Sequence, residues 1–481
     1  MYFLMNKDKI VGYFDIDEEQ HKISRQLQPA SNLSFPIGFQ NIKSWVENRK
    51  ASKHNSHLRE IMDDCGCSTM TGFIKVTHAA SINDTFWIKN EKEDVSWAQV
   101  SFYCNPFDEV ISKLAFEGLG LYGIKLSSTS PELCTDGSFR KCWIRDDVED
   151  KIYLYKRGSN GARNAGMEPY CEVMASELAE KLLGKDAVKY KLVHLHGELA
   201  SRCELFSNEE YGYTPISRFD NIMADDLQSL LHFYNELGSE DMFRRMLVLD
   251  SLTFNVDRHA GNHGVLVDND TQKPVRMAPV FDMNLSMLPY IEDDDMLDIG
   301  TTLERYTPCI GNDFTRIGQI ALTSAIRSDL IGLKGFKFSF HGDERFTPKR
   351  VEFIETLINR QIDAILSKEA LCMKDVFIPA AKMESKQKNT ASEYEVLADR
   401  LWKEYNFNAY FSAYDLTAKN GHPEMILYLK SVPNKTVCLD LETGKAAACI
   451  DDIEADPSEL LRQKNLSEAW GVVSHAYSEE A

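Results

Sequence analysis

Phe254-Asn-Val-Asp-Arg-His-Ala-Gly-Asn-His-Gly264 places one carboxylate, four amide or glycine turn formers and two imidazoles within a few positions. Two glycines and two asparagines in so short a run mark a loop rather than a helix. Asp257 and Asn262 are five apart, so one loop can present a carboxylate and, a turn later, a neutral amide oxygen. Phosphoryl transfer uses that combination: a carboxylate to orient or deprotonate an acceptor hydroxyl, and an oxygen ligand for Mg²⁺. His259, His263 and Asp257 also admit a metal-binding trio, as in a metal-dependent hydrolase. Histidines four apart form a zinc platform chiefly on a helix, and Gly261 and Gly264 argue against one here.

The segments that follow decide where further ligands fall. Val265-Leu-Val267 and Val275 to Phe281 read as two strands joined by the polar turn Asp268 to Pro274. Asn262 and Asp282 flank the turn at similar distances, so an antiparallel hairpin brings them side by side at its open end. Ahead of the loop, a helix is expected from about Ser239 to Leu252, opened by a Ser cap.

Upstream, Lys151-Ile-Tyr-Leu-Tyr-Lys156 alternates, with Ile152, Leu154 and Lys156 on one face. An ammonium at the end of such a face either snorkels to water or meets an anion. Lys141 to Ile144 is the partner strand, and Thr135-Asp-Gly137-Ser138 stands at the open entrance of that hairpin. Gly137 lets backbone N–H groups approach a phosphate and Ser138 adds a hydroxyl, although a plain turn has the same composition. The next helix begins near Pro169 and stops at Gly184. Glu168 and Glu172 lie on one side of its start, and a carboxylate there can hold Lys156 in place. Glu172, inside the helix, is the expected partner; Glu168 competes.

These motifs resemble those of the HipA-type serine/threonine kinases. Asn255 to Gly264, followed by Ala278-Pro-Val-Phe-Asp282-Met-Asn-Leu-Ser286, is similar to that family's catalytic and metal-binding signature. Thr135 to Lys141, a glycine followed four residues later by lysine, resembles its phosphate loop, and Ile152 to Lys156 its ATP-lysine strand. The resemblance covers roughly residues 119 to 367. It implies an α+β, bilobal protein-kinase-like fold with a strand-rich N-lobe and a helical C-lobe. Asp257 would be the catalytic base. Lys156, with Gly137, Ser138, Lys141 and Glu172, would hold ATP; Asn262 and Asp282 would hold Mg²⁺. Cys203 to Phe206 would be the hinge that meets adenine. It further implies a protein substrate and, since family members are often toxins, a small DNA-binding antitoxin partner. The first hundred residues and the region after Ser392 depart from the family pattern.

The expected organisation is a mixed α/β region over 1–118, an N-lobe over 119–215 and a C-lobe over 216–380. A polar linker at 381–393 and a C-terminal accessory region at 394–481, with a hairpin over Met425 to Leu439, complete it. In the C-lobe, Thr347 is expected to cap a helix from Pro348 to Leu366 whose apolar stripe faces the core. The chain has 481 residues, with 54 basic against 74 acidic ones and a net charge of −20. That charge repels nucleic acid, so no direct nucleic-acid binding is expected. Eleven cysteines without framework spacing, no leader-like N-terminus and no long apolar run read as a cytoplasmic protein away from the membrane. Two other readings share these residues: a small-molecule or lipid kinase on the same fold, and an inactive nucleotide-binding module that docks partners.

Overall fold

The structure is a computed structural model. It describes residues 1–51, 56–118, 130–135, 137, 139–161, 164–377, 398, 402, 411–419, 422–429, 435–440, 446–450 and 453–454. Ser138 and the expected linker at 381–393 lie outside the described residues. The chain divides into two compact units, Met1–Phe377 and Ile378–Ala481.

In the first unit, β1 (Tyr2–Asn6), β2 (Lys9–Asp17), β3 (Lys22–Pro29) and β4 (Phe86–Asn90) form an antiparallel sheet in the order β3-β2-β1-β4. The N-lobe sheet follows. β5 (Lys141–Asp146), β6 (Lys151–Arg157), β7 (Tyr190–Leu195) and β8 (Glu198–Glu204) take the order β5-β6-β8-β7. Lys141 sits opposite Lys156 in this ladder, and Trp143 opposite Leu154. Side chains opposite one another share a face, so both lysines and both apolar residues look the same way.

The helix Glu168–Leu183 packs beside this sheet. Proline stands in its first turn, where a missing N–H costs nothing, and Gly184 ends it at φ +59°. Its apolar side joins the C-lobe core through Met174, Leu178 and Leu182. That core is organised by the helix Glu240–Thr253, whose Phe243, Met246, Leu247 and Leu249 are all buried. Phe243 has no exposed surface, so its truncation to alanine costs roughly 3–5 kcal/mol. Ser239 precedes the helix as expected but does not cap it with its side chain. Its Oγ accepts instead from the Met277 N–H at 3.0 Å, tying the helix start to a strand. The helix Pro348–Leu366 is capped by Thr347, whose side chain accepts from the Arg350 N–H.

β9 (Tyr211–Pro215), β10 (Gly264–Asp268) and β11 (Pro274–Met277) form a three-stranded antiparallel sheet in the order β11-β10-β9. The expected hairpin is therefore present, with Val265 opposite Met277. Its second strand ends at Met277, four residues earlier than the expected Phe281. Pro279 cannot donate to the ladder, and Val280 turns away to pair with the segment after the Glu168–Leu183 helix. There the Val280 N–H donates to Asp186 O (2.8 Å) and Val188 N–H to Val280 O (2.9 Å).

The second unit holds an antiparallel meander of β12 (Phe411–Lys419), β13 (His422–Leu429), β14 (Lys435–Asp440), β15 (Ala446–Ile450) and β16 (Ile453–Glu454). Its β13–β14 hairpin pairs Met425 with Leu439, as the sequence pattern indicates.

Candidate active site

Lys156 ends the inward face of β6 and is only 7% exposed. Its Nζ donates to Glu172 Oε1 and to Asp282 Oδ1, both at 2.6 Å. Burial alone would drive the ammonium to lose its proton, but the two carboxylates outweigh it and hold the pKa above the ordinary lysine value. Glu172 is fully buried, and its second oxygen accepts from Ser201 Oγ on β8. Of the two candidate glutamates, Glu172 is thus the one paired with Lys156. Glu168 is buried too, but accepts from Tyr290 Oη (2.7 Å) and the Ser159 N–H (3.2 Å).

The catalytic-loop candidate leaves the Glu240–Thr253 helix through Phe254, which takes a left-handed conformation at φ +53°. Asn255 then folds the chain back: its Oδ1 accepts from the Asp257 N–H (3.0 Å), and its Nδ2 donates to Asp250 Oδ1 (2.9 Å). Arg258, 2% exposed, makes a two-pronged pair with Asp250 at 2.9 and 3.0 Å. Its Nη1 donates to Asn262 O (2.9 Å) and Phe281 O (2.6 Å). One guanidinium therefore joins the loop to the residue just before Asp282, a job its planar fork suits better than an ammonium would. Sequence reading missed both Arg258 and Asp250, because a charged residue in a polar loop normally faces water.

Asn262 donates through Nδ2 to Asp257 O at 2.8 Å and approaches Asp257 Oδ2 at 3.4 Å. Its amide nitrogen is thereby used, and its Oδ1 accepts no hydrogen bond among the described residues. Asp282 occupies φ +55°, uncommon for a residue with a side chain, and its N–H donates to Tyr190 Oη at 3.2 Å. Burial raises the Asp257 carboxyl above the ordinary aspartate range, and the Asp282 charge adds to the effect. Asp282 is pushed up by burial as well, yet Lys156, Lys141 and Arg258 together hold it below that range. Two neighbouring carboxyls are thus driven apart, one toward accepting a proton and one toward permanent charge.

These side chains line one cavity of about 570 Å³. Lys156, Asp257, Asn262 and Asp282 stand at its polar end with Lys141 and Gly137. Gly137 has φ +105°, and a Cβ there would lie 2.3 Å from Lys141 Nζ, so glycine is what lets the two approach. The apolar end is a slot. Trp143 and Leu154 cover it from the N-lobe. Phe206, Tyr213 and Phe281 form its floor, with ring centroids 5.3–5.6 Å apart. Cys203, Glu204 and Leu205 close its back, where the hinge is expected. A flat, largely apolar slot leading to converging charges fits a base attached to phosphates.

The histidine–aspartate metal trio does not form. His263 is buried away from this cavity with Nδ1 3.0 Å from Tyr234 Oη, and His259 Nδ1 accepts from the Gly261 N–H. Among the described residues no group of three His, Cys, Asp or Glu side chains is placed to hold a metal ion. A free amide oxygen on Asn262 and an ionised Asp282 are instead the sparse, hard oxygen set with which Mg²⁺ is held when phosphates supply its remaining ligands. Asn284, also lining the cavity, adds a buried Oδ1 without a donor.

A strand-rich part, β5–β8, and a helical part meet at this cavity, in the order the sequence led one to expect, and they gather Lys156, Glu172, Asp257, Asn262 and Asp282. No protein-family model and no curated protein matches the chain. Solved structures similar to it include the following two. The proinflammatory kinase CtkA of Helicobacter pylori is 17% identical at a TM-score of 0.36, the match covering 47% of this chain and 92% of that one. HipA of Shewanella oneidensis MR-1, from a toxin–antitoxin system solved as a complex with HipB and operator DNA, is 10% identical at a TM-score of 0.46. That match covers 77% of this chain and 100% of the other. No helix among the described residues is long and apolar enough to cross a membrane.

Proposed function

We propose that this chain is an ATP- and Mg²⁺-dependent kinase that phosphorylates a hydroxyl group, with a protein Ser or Thr side chain as the acceptor. The observation that carries the reading is the convergence of Lys156, Asn262 and Asp282 with a proton-accepting carboxylate, Asp257, in one cavity that ends in a base-sized slot. When bound, ATP supplies the phosphoryl group and Mg²⁺ offsets the charge of its phosphates.

The protein's residues do the rest by position and charge. Lys156, fixed by Glu172, holds phosphate oxygens, with Gly137 and Lys141 beside them at the entrance to β5. Asn262 Oδ1 and the Asp282 carboxylate hold the metal. Asp257, with its raised pKa, orients the acceptor hydroxyl and takes its proton. Arg258 keeps Asn262 and Asp282 in register. The HipA-type resemblance of these motifs extends the proposal to a toxin-like kinase of the cytoplasm with a small antitoxin-like partner.

Purified protein incubated with γ-labelled ATP, Mg²⁺ and a protein lysate tests this. Label should pass to protein, and Asp257→Asn should reduce transfer by about 10²–10⁴-fold. Equal labelling by that variant overturns the assignment.

A further inference from the structure

Residues 1–118 show no chemistry in sequence, yet one of their loops forms part of the cavity wall. Residues 81–85 are held against the chain that follows the hinge. Ile82 O accepts from Ser207 Oγ (2.8 Å) and from Tyr103 Oη (2.6 Å). Asn83 O accepts from the Tyr213 N–H on β9 at 2.7 Å. Gly212 makes this approach feasible, since a Cβ there would stand 2.6 Å from Asn83 O. Thr85 Oγ1 donates to Asn6 Oδ1 (2.6 Å), and Asn6 Nδ2 donates onward to Asn269 O (2.7 Å). Ile82 also belongs to an apolar cluster with Trp87, Trp97, Trp143 and Ile152, against which Leu154 and Leu205 pack. The same loop is thus anchored to the roof, the hinge and the floor of the slot.

Asn83 lies on this fixed loop. The side chain is exposed and has no hydrogen-bond partner among the described residues. It lines the 570 Å³ cavity and also a second one of about 320 Å³, and Tyr213 and Gly261 border both. Tyr213 is a floor residue of the slot, and its Oη donates to Gly261 O at 2.9 Å. Gly261 immediately precedes Asn262. Asn83 therefore stands at the rim between the base slot and the polar end, which is where the sugar of a bound nucleotide must pass.

We infer that Asn83 hydrogen-bonds the sugar hydroxyls of the nucleotide, so that the N-terminal region sets part of the site's preference for a ribonucleotide. A carboxamide offers an acceptor and two donors, matching hydroxyls that both donate and accept. The inference rests on the nucleotide-binding reading above and goes beyond it by assigning a specificity residue outside the two lobes.

The test is calorimetric titration of the full chain, wild type and Asn83→Ala, with Mg²⁺ and ADP, 2′-deoxy-ADP or 3′-deoxy-ADP. Wild type should prefer ADP over at least one deoxy analogue by about three- to tenfold, the range of one hydrogen bond. Asn83→Ala should bind ADP more weakly by the same factor and bind that deoxy analogue as wild type does, so the preference collapses to about one. Equal thermal midpoints for the two proteins will show that the loop is intact. If Asn83→Ala binds all three ligands as wild type does, this inference fails while nucleotide binding stands. If wild type binds none of them, both fail.

Discussion

Lys156 and Asp282, 126 positions apart in sequence, meet with Nζ 2.6 Å from Oδ1. The contact joins the last inward position of β6 to a residue five positions beyond the end of β11. Because Lys156 also holds Glu172, one ammonium serves two carboxylates, and an incoming phosphate would share it with them.

Removing the ammonium separates its structural from its binding role. Lys156→Met leaves the fully buried Glu172 without its cation and should cost roughly 3–5 kcal/mol of stability. Adding Glu172→Gln to that variant should recover much of the stability, since the stranded charge is gone, but none of the nucleotide binding. Urea unfolding and nucleotide titration on the three proteins read the two effects. Restored binding in the double variant would contradict the role given to Lys156.

Arg258 should prove as important as the residues it supports. Arg258→Lys keeps the charge beside Asp250 but loses the fork that reaches Asn262 O and Phe281 O. Turnover should fall by more than tenfold while nucleotide affinity changes less, because the base slot is untouched. A steady-state kcat and KM comparison decides it; an unchanged kcat would show that the register of the two ligands does not depend on this side chain.

The pH dependence of transfer should report Asp257. A base must be ionised, and burial raises this carboxyl, so activity should begin to fall at a pH above the ordinary aspartate value of about 3.9. The residual activity of Asp257→Asn should lack that acid limb. The same limb in both proteins would place the titration elsewhere.

His263 supplies a stability prediction of definite sign. It is buried beside Tyr234, and burial, with the Arg258 charge, pulls its pKa down to about 3. The unfolded chain takes up that proton near its ordinary value of about 6.5. The native state is therefore fully favoured above about pH 6.5 and loses stability as pH falls from there toward 3. His263→Gln should flatten this part of the profile, measured as the urea midpoint at pH 7 against pH 5. An equal drop in both proteins would assign the acid sensitivity to other groups.

The parts of the site legible in sequence are those set by local geometry. Alternation along β6 places Lys156 on the inward face, and a helix start places Glu172 within its reach. A hairpin with Asn262 before it and Asp282 after it brings those two together even though Pro279 ends β11 early. What escaped reading depends on distant burial. Arg258 and Asp250 look like solvated charges until Asn255, Asn262 and Phe281 are seen around them. Ser239 has the type of a helix cap and stands where one would, but the N–H of Met277, 38 positions away, is its partner. The 81–85 loop has no pattern at all; its place in the cavity wall comes from contacts with Ser207 and Tyr213.

A crystal grown with a non-hydrolysable ATP analogue and Mn²⁺ tests the central claim most directly. The anomalous map should place the metal within about 2.2 Å of both Asn262 Oδ1 and an Asp282 oxygen. The base should lie between Trp143 and Phe281, with a phosphate oxygen on Lys156 Nζ. A metal bound away from Asn262 and Asp282, or a nucleotide outside this cleft, would contradict the account.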